Sequence, residues 1–406
     1  MPDPVLRKSH SGTSRLTPPA LPPGLALPPN ETGLEKICLF PEKLASLRQG
    51  GLDPLYPVSV ELSLTSRCDL KCVWCSELAL RDRCPDDLSM AVLKELFQDL
   101  AAGGARGVTI EGGGEPTLAP FFPEATLAAK AAGLEVGLIT NGLRLFRPDA
   151  PLSFYRIFQW IRVSLDATDR GEYLRLKGHD GFDRTMGNLA RLAALASQGP
   201  EPDLASLTAG PPDDSPLSDP FDSAQSSPAA AAAQTGPTVG VGYVLTNQND
   251  DPQKLWALAE RLRGLKVAYL QLRPVVDHPE LSSARSVEFL KELQTPAFAV
   301  NTAAMTDNQG AGNDGLPCRA HSLATVVTAD GAMWLCGRLC QDPQAGPLGY
   351  LTKSGFKAIW EGQTRAAQAA QAALGDFCRG HCPPCRLTKY NRLLSRLELI
   401  RTRDFI

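Results

Sequence analysis

The chain has 406 residues, 43% of them apolar, with 41 basic and 44 acidic side chains and a formal net charge of −3. That is length enough for two or three domains, and the near balance of charge excludes the basic field on which nucleic-acid binding rests. No long apolar run marks a membrane span and the N-terminal stretch has no apolar signal core, so a cytoplasmic protein with neither nucleic-acid nor membrane partners is expected, its eleven cysteines reduced and available to metals.

In chain order, residues 1–55 form an N-terminal tail. Its first 30 residues are Pro-rich and polar, a composition that reads as largely disordered. A strand over 58–64 follows and feeds a cysteine-rich loop. Helix-like and strand-like patterns then alternate: helix 90–102, strand 107–110, helix 124–132, strand 135–140, helix 152–158, strand 160–165, helix 182–196. Residues 197–237 carry prolines, serines and an alanine run with no hydrophobic period, and read as a disordered insertion in a surface loop. Strand 238–245, helix 253–263 and strand 267–273 complete six βα-like units. The pattern predicts an α/β fold over 56–275 with a parallel sheet, a partial (β/α)6 TIM-like barrel whose chemistry sits on the loops at the carboxyl ends of its strands. Residues 276–406 are expected to form a small extension, a β-hairpin (324–328 and 332–335) turning at Ala329-Asp330-Gly331 plus a helical tail.

The loop after the first strand holds Cys68, Cys72 and Cys75 in a CxxxCxxC run. Three thiolates can hold three corners of a cubane iron-sulfur cluster and leave one iron open, which suits chemistry better than scaffolding. A zinc knuckle is the alternative, but its two CxxC pairs close a tetrahedron, and the next cysteine, Cys84, comes nine residues on, before a proline. After the second strand stands Glu111-Gly112-Gly113-Gly114-Glu115-Pro116, whose glycines let the backbone approach a ligand closely. The cysteine triplet, with Trp74 just before its third member, and the GGE run of Gly113, Gly114 and Glu115 together resemble the radical S-adenosylmethionine (radical SAM) enzymes. The resemblance implies a [4Fe-4S] cluster whose open iron chelates the amino and carboxylate groups of SAM, with the GGE run binding the SAM amino group. It further implies cofactor contacts from Asn141, at the end of the third strand, and from Ser164 on the fourth, with Arg175 or Lys177 for the SAM carboxylate. A capping serine and solvated basic residues are the plainer readings of the last three. Gln271 and Arg273 end the sixth strand facing the site, where a role in substrate binding is expected.

Six cysteines follow residue 300: Cys318, Cys336, Cys340, Cys378, Cys382 and Cys385. The spacing of Cys318, Gly331 and Cys336 resembles the opening of SPASM and twitch domains, the auxiliary-cluster extensions of radical SAM enzymes. On that resemblance Cys318, Cys336, Cys382 and Cys385 close one auxiliary [4Fe-4S] cluster, the shorter twitch arrangement, although zinc accepts the same four thiolates. Cys340 and Cys378 are then spare. Cys340 is the candidate hydrogen donor, with a buried inert thiol as the alternative. Cys38 and Cys84 are taken as structural. The five histidines form no hydrolase triad and no HExxH motif, which disfavours hydrolysis.

What the resemblance implies is an enzyme that reductively cleaves SAM to a 5′-deoxyadenosyl radical, fed by a reductase, flavodoxin or ferredoxin, and takes hydrogen from its substrate. Peptide-modifying relatives often carry a folded recognition domain at the N-terminus. With the first 55 residues largely disordered, a small polar substrate such as a sugar or aminocyclitol is expected, oxidised or epimerised. A peptide-modifying maturase is the second reading, and a non-catalytic iron-sulfur or zinc redox-sensing module the third.

Overall fold

In the computed structural model, β1 (Ser59–Leu62) sets the frame of the molecule: Val60 and Leu62 are fully buried while Ser59 and Glu61 are only partly covered, the period of two that a strand imposes. The structure describes residues 34–49, 52–75, 77–78, 81, 87–196, 236–307, 315–342, 345–374, 385 and 387–399. Ahead of β1 lies α1 (Pro41–Gln49). After it come α2 (Met90–Ala102), β2 (Gly107–Ile110), α3 (Phe122–Ala131), β3 (Glu135–Thr140), β4 (Trp160–Ser164), α4 (Arg170–Lys177), α5 (Phe182–Leu195), β5 (Thr238–Leu245), α6 (Pro252–Gly264) and β6 (Tyr269–Pro274). Strands β1 to β6 pair in parallel in chain order, giving the expected partial barrel.

Three of the helices, α2, α4 and α6, begin where short polar side chains take up orphan amides. Ser89 accepts from Val92 N–H at the start of α2 (3.4 Å), Asp169 from Glu172 N–H at α4 (2.9 Å), and Asp251 from Gln253 and Lys254 N–H at α6, where Pro252 takes the first position. The helix expected over 152–158 is instead a 3₁₀ segment, Leu152–Ile157. Pro151 opens it, Phe158 is already extended, and the tighter winding buries Phe154, Tyr155 and Phe158 with Phe122 in one aromatic group.

The sheet does not stop at the sixth strand. β7 (Ala299–Asn301) pairs in parallel with β6, and on the other side β8 (Ala324–Val327) pairs in parallel with β1. β8 and β9 (Ala332–Trp334) form the expected hairpin, turning at Gly331 with φ +80°, and β10 (Gly349–Tyr350) ends a sheet of ten strands. Helices α7 (Phe356–Trp360), α8 (Gln363–Ala372) and α9 (Thr388–Leu399) complete the C-terminal part. The boundary expected at 275–276 is thus no break in the sheet, and β1 serves both halves.

At the amino ends of the strands the barrel is plugged by aromatic rings lying on glycine. A Cβ on Gly137 would stand 2.3 Å from the Trp160 indole, and one on Gly240 would stand 2.0 Å from the Tyr269 ring. The opening is left at the carboxyl ends.

Residues 34–49, for which the sequence announced no element in the N-terminal tail, form a 3₁₀ turn (Leu34–Leu39) and α1, which pack on α9 through Ile37, Leu47, Leu323 and Leu394. Lys43 and Asp53 make a buried ion pair below, and Arg365 lies over the Trp360 ring (3.6 Å) while donating to the Asp53 carbonyl at 2.7 Å. The buried residues of α1 are one lysine and one leucine, so no hydrophobic period announces it. The tail over 1–30 and almost all of the insertion at 197–237 lie outside the described residues, as do Cys84, Cys378, Cys382 and His381. Among the described residues no helix is long and apolar enough to cross a membrane.

Candidate active site

The carboxyl ends of the strands open into a cavity of about 490 Å³, within the range of ligand sites. Cys68, Cys72 and Cys75 line it from the β1 loop, Gly113, Gly114 and Glu115 from the β2 turn, Asn141 from β3, Ser164 and Asp166 from β4, and Lys177 from the end of α4. Cys336 and Cys385 line the same cavity. Two sets of cysteines more than 240 positions apart in sequence therefore face one space.

The cysteine loop is clamped from two sides by backbone bonds. Thr65 and Arg67 carbonyls accept from Gly114 N–H (2.8 Å) and Glu115 N–H (2.7 Å), while Lys71 and Val73 N–H donate to the Lys177 (2.9 Å) and Leu176 (3.0 Å) carbonyls. The approach leaves no room for a side chain at position 114, where a Cβ would come within 2.0 Å of the Arg67 carbonyl oxygen. A third tie is polar: Asp69 accepts from Asn141 Nδ2 at 2.7 Å and from Arg144 Nε at 3.1 Å.

Burial pushes the Cys68 thiol up to about 11 and the Cys72 thiol up to about 12. Thiols so placed ionise only when a strong positive charge joins them. Among the described residues no three His, Cys, Asp or Glu side chains converge on a single metal ion. Three sulfurs spread around a common cavity fit instead a cluster that offers each of them its own iron. In the second set, burial and the neighbouring Cys318 and Cys385 push Cys336 up to about 12. Leu387 N–H donates to Cys385 Sγ (3.4 Å) and Asn391 Nδ2 to Cys318 Sγ (3.5 Å). These three fit a thiolate-held cluster in the same way, and Cys382 lies outside the described residues.

Several expected ligands have other work. The Glu115 carboxylate is buried and accepts from Thr117 N–H (3.1 Å), Thr117 Oγ1 (2.7 Å), Thr140 Oγ1 (2.6 Å) and Asn141 N–H (2.7 Å), so it ties the β2 and β3 loops together. Burial raises its pKa against these bonds. Asn141 holds Asp69, and its Oδ1 accepts from Leu143 N–H at 2.9 Å. Arg175 is exposed, lies outside the cavity lining and donates to the Gln248 carbonyl at 3.1 Å from the outer face of α4. Lys177 points inward. Its ammonium pairs with Asp166 at 2.9 Å and donates to the Ser164 carbonyl. Burial alone would lower its pKa, but Asp166, Tyr173 and Cys72 together raise it.

Cys340, the candidate hydrogen donor, is 3% exposed, packs in the main core, donates to the Gly337 carbonyl at 3.1 Å and does not line the cavity. The Asp166–Lys177 pair was missed from sequence. Asp166 takes φ +55°, one of four non-glycine residues in the left-handed region among the described residues, and its Oδ1 accepts from Val244 N–H at 2.7 Å. A conformational preference of that kind has no signature in the order of residues.

The chain matches two family models, the Radical SAM superfamily over residues 62–198 and the SPASM iron-sulfur cluster-binding domain over 318–385. It is 29% identical over 145 residues to the sporulation killing factor maturation protein SkfB of Bacillus subtilis, covering 36% of this chain and 35% of that protein. It is 33% identical over 150 residues to the mycofactocin maturase MftC of Mycobacterium tuberculosis, covering 37% of each. The matched region thus spans little more than a third of these relatives. Across the fold it resembles SuiB of Streptococcus suis, solved bound to the precursor peptide SuiA, with a TM-score of 0.55, 14% identity, and coverage of 90% of this chain and 80% of that one.

Proposed function

We propose, from the premise that the chain belongs to the radical SAM superfamily and carries a C-terminal SPASM domain, that it modifies a peptide by hydrogen abstraction. The observation that carries this is the single cavity shared by Cys68, Cys72 and Cys75, the Gly113-Gly114-Glu115 turn, and Cys336 with Cys385. The small polar substrate expected from the sequence gives way to the second reading, a peptide, because SkfB and MftC are maturation proteins.

A four-iron cluster with SAM supplies, when bound, a 5′-deoxyadenosyl radical able to take hydrogen from an unactivated carbon. Cys68, Cys72 and Cys75 would hold that cluster, and Cys318, Cys336, Cys382 and Cys385 an auxiliary one. Gly113 and Gly114 bring main-chain groups to the cavity edge beside the triplet. Ser164 and Lys177 stand on the β4 side, where hydroxyl and ammonium suit the ribose and carboxylate of SAM. The ammonium is held in place by Asp166, so its position is set before any ligand arrives. The Trp160 and Tyr269 rings, lying on Gly137 and Gly240, fill space at the amino end of the barrel. A small reductase, flavodoxin or ferredoxin serves as electron donor.

The test is anaerobic reconstitution followed by dithionite, SAM and peptides encoded beside the gene. The expected result is 5′-deoxyadenosine together with a mass change in one peptide. A protein with full iron content that releases no 5′-deoxyadenosine would sink the enzymatic reading in favour of a redox-sensing module, and 5′-deoxyadenosine with sugars but no peptide would restore the small substrate.

A further inference from the structure

Opposite the cysteine loop, the inner wall of the barrel carries two guanidinium groups. Arg162, on β4, donates from Nη1 to Gln271 Oε1 at 2.7 Å. Arg273, near the end of β6, lines the cavity. The Nε of each is sealed from solvent and has no hydrogen-bond partner among the described residues. The carboxylates that reach Arg273 electrostatically are Asp166 and Glu111, and neither pairs with it: Asp166 is taken by Lys177 and by Val244 N–H. Burial, with Arg162 alongside, pushes Arg273 down to about 10, still protonated at neutral pH. Arg273 is half-buried and makes no direct ion pair among the described residues, so part of its desolvation is uncompensated and an incoming anion would offset it.

Resting on the peptide-modifying reading above, we propose that Arg273 is a specificity-determining residue that receives a carboxylate of the substrate, so that the modified peptide presents an acidic side chain or its C-terminal carboxylate next to the attacked carbon. Position separates this anion from the carboxylate of SAM. Lys177 is the cation beside Cys72, whereas Arg273 stands five strands away from β1 along the curved sheet, on the far wall. On that side Arg338, from the loop after Cys336, also lines the cavity and is fixed by two bonds to Asp277 (2.8 and 2.9 Å). A planar fork suits a carboxylate in two-point contact, which a lysine cannot reproduce.

The test uses the reconstituted full chain loaded with SAM and dialysed anaerobically against three pools of synthetic hexapeptides. One pool has a Glu or Asp side chain and an amidated end, one a free C-terminal carboxylate without acidic side chains, one neither. Retained peptide is counted by mass spectrometry, without turnover. The expected result is retention of one acid-bearing pool at least about tenfold above the neutral pool, roughly 1.4 kcal/mol, and which pool it is identifies the source of the carboxylate. Arg273→Gln should remove that preference and Arg273→Lys restore only part of it. The assignment is overturned by a wild-type protein without the preference, by a preference that survives Arg273→Gln, or by a glutamine variant that loses labelled SAM while keeping the peptide preference. Should Arg273→Gln fail to take up iron, the lysine variant decides: a severalfold reduction supports the assignment and an unchanged preference overturns it. Absence of SAM cleavage by the wild type counts against the proposed activity instead, so the two failures are distinct.

Discussion

Replacing Gly114 with alanine tests whether the β2 turn positions the cysteine loop. The new Cβ would lie 2.0 Å from the Arg67 carbonyl oxygen, 2.5 Å from its carbon and 2.6 Å from the Ser66 carbonyl carbon. All three are backbone atoms, so no side chain can swing aside, and the loop must retreat by roughly 1.4 Å to reach ordinary contact. That movement breaks the bonds from Gly114 N–H to Thr65 and from Glu115 N–H to Arg67, worth about 0.5–1.5 kcal/mol each, on top of about 1–3 kcal/mol for overpacking. Cys68 lies one residue beyond Arg67, and a displacement of about 1 Å in a positioned group costs on the order of a hundredfold in rate. The expected outcome is a stability loss of about 2–6 kcal/mol in urea and a fall of about a hundredfold or more in 5′-deoxyadenosine formation per cluster. Gly187→Ala is the control: it sits within α5 with nothing near its Cβ position and should gain up to about 1 kcal/mol. If Gly114→Ala keeps wild-type iron content and cleavage rate while Gly187→Ala behaves as stated, the β2 turn does not position the cysteines.

Three further outcomes follow from the same geometry. Protein with Cys68, Cys72 and Cys75 all changed to alanine should retain about four irons, counted after anaerobic reconstitution, because the SPASM cysteines hold theirs independently; none retained would count against an auxiliary cluster. Lys177→Met leaves the buried Asp166 carboxylate unpaired and should cost about 3–5 kcal/mol in urea unfolding, most of it recovered when Asp166→Asn is added; a single variant as stable as wild type would show that the pair contributes little. His321 is buried beside Arg365 and Lys43, and its pKa is pushed down to about 3, first by burial and then by those cations. The unfolded chain therefore takes up the proton first, and stability should fall as pH drops through about 6.5 towards 3, by about 1.4 kcal/mol between pH 6.5 and 5.5 at most. Urea midpoints over that interval should lose the slope in His321→Gln, and a slope unchanged by the substitution would assign it to other groups.

The βα alternation was legible because short apolar strand runs alternate with longer amphipathic stretches, three of which open on a capping Ser or Asp: β2, β3 and β5 fall on the expected residues, and β4 and β6 differ by one or two at their ends. The cysteine triplet and the GGE run were legible because their chemistry fixes residue type and spacing together. What stayed hidden depends on contacts between distant segments. Nothing in 34–49 shows that Lys43 will meet Asp53 beneath Trp360, or that Asn141 will spend its amide on Asp69. Arg175 and Lys177, two residues apart, are equally basic on paper, and the helical turn sends one to solvent and the other into the cavity. The peptide reading came from kinship, because substrate choice lies in the cavity wall and not in the cluster motifs.

The arrangement of β1 explains why two sets of cysteines can face one cavity. Leu62 pairs with Ile110 of β2 on one side and with Val327 of β8 on the other, so the register of a single strand sets the height of both the triplet loop and the SPASM hairpin. A slip of one residue would turn Glu61 outward to the helices and Leu62 into the cavity, which burial of Val60 and Leu62 forbids. The hairpin is therefore part of the barrel and not an attachment to it. Cys336 follows β9 directly and reaches the cavity because β8 has taken the place that a closing strand of a full barrel would occupy. An open barrel edge thus becomes the seat of the second cysteine set, and whatever binds between Arg273 and the triplet lies within reach of both.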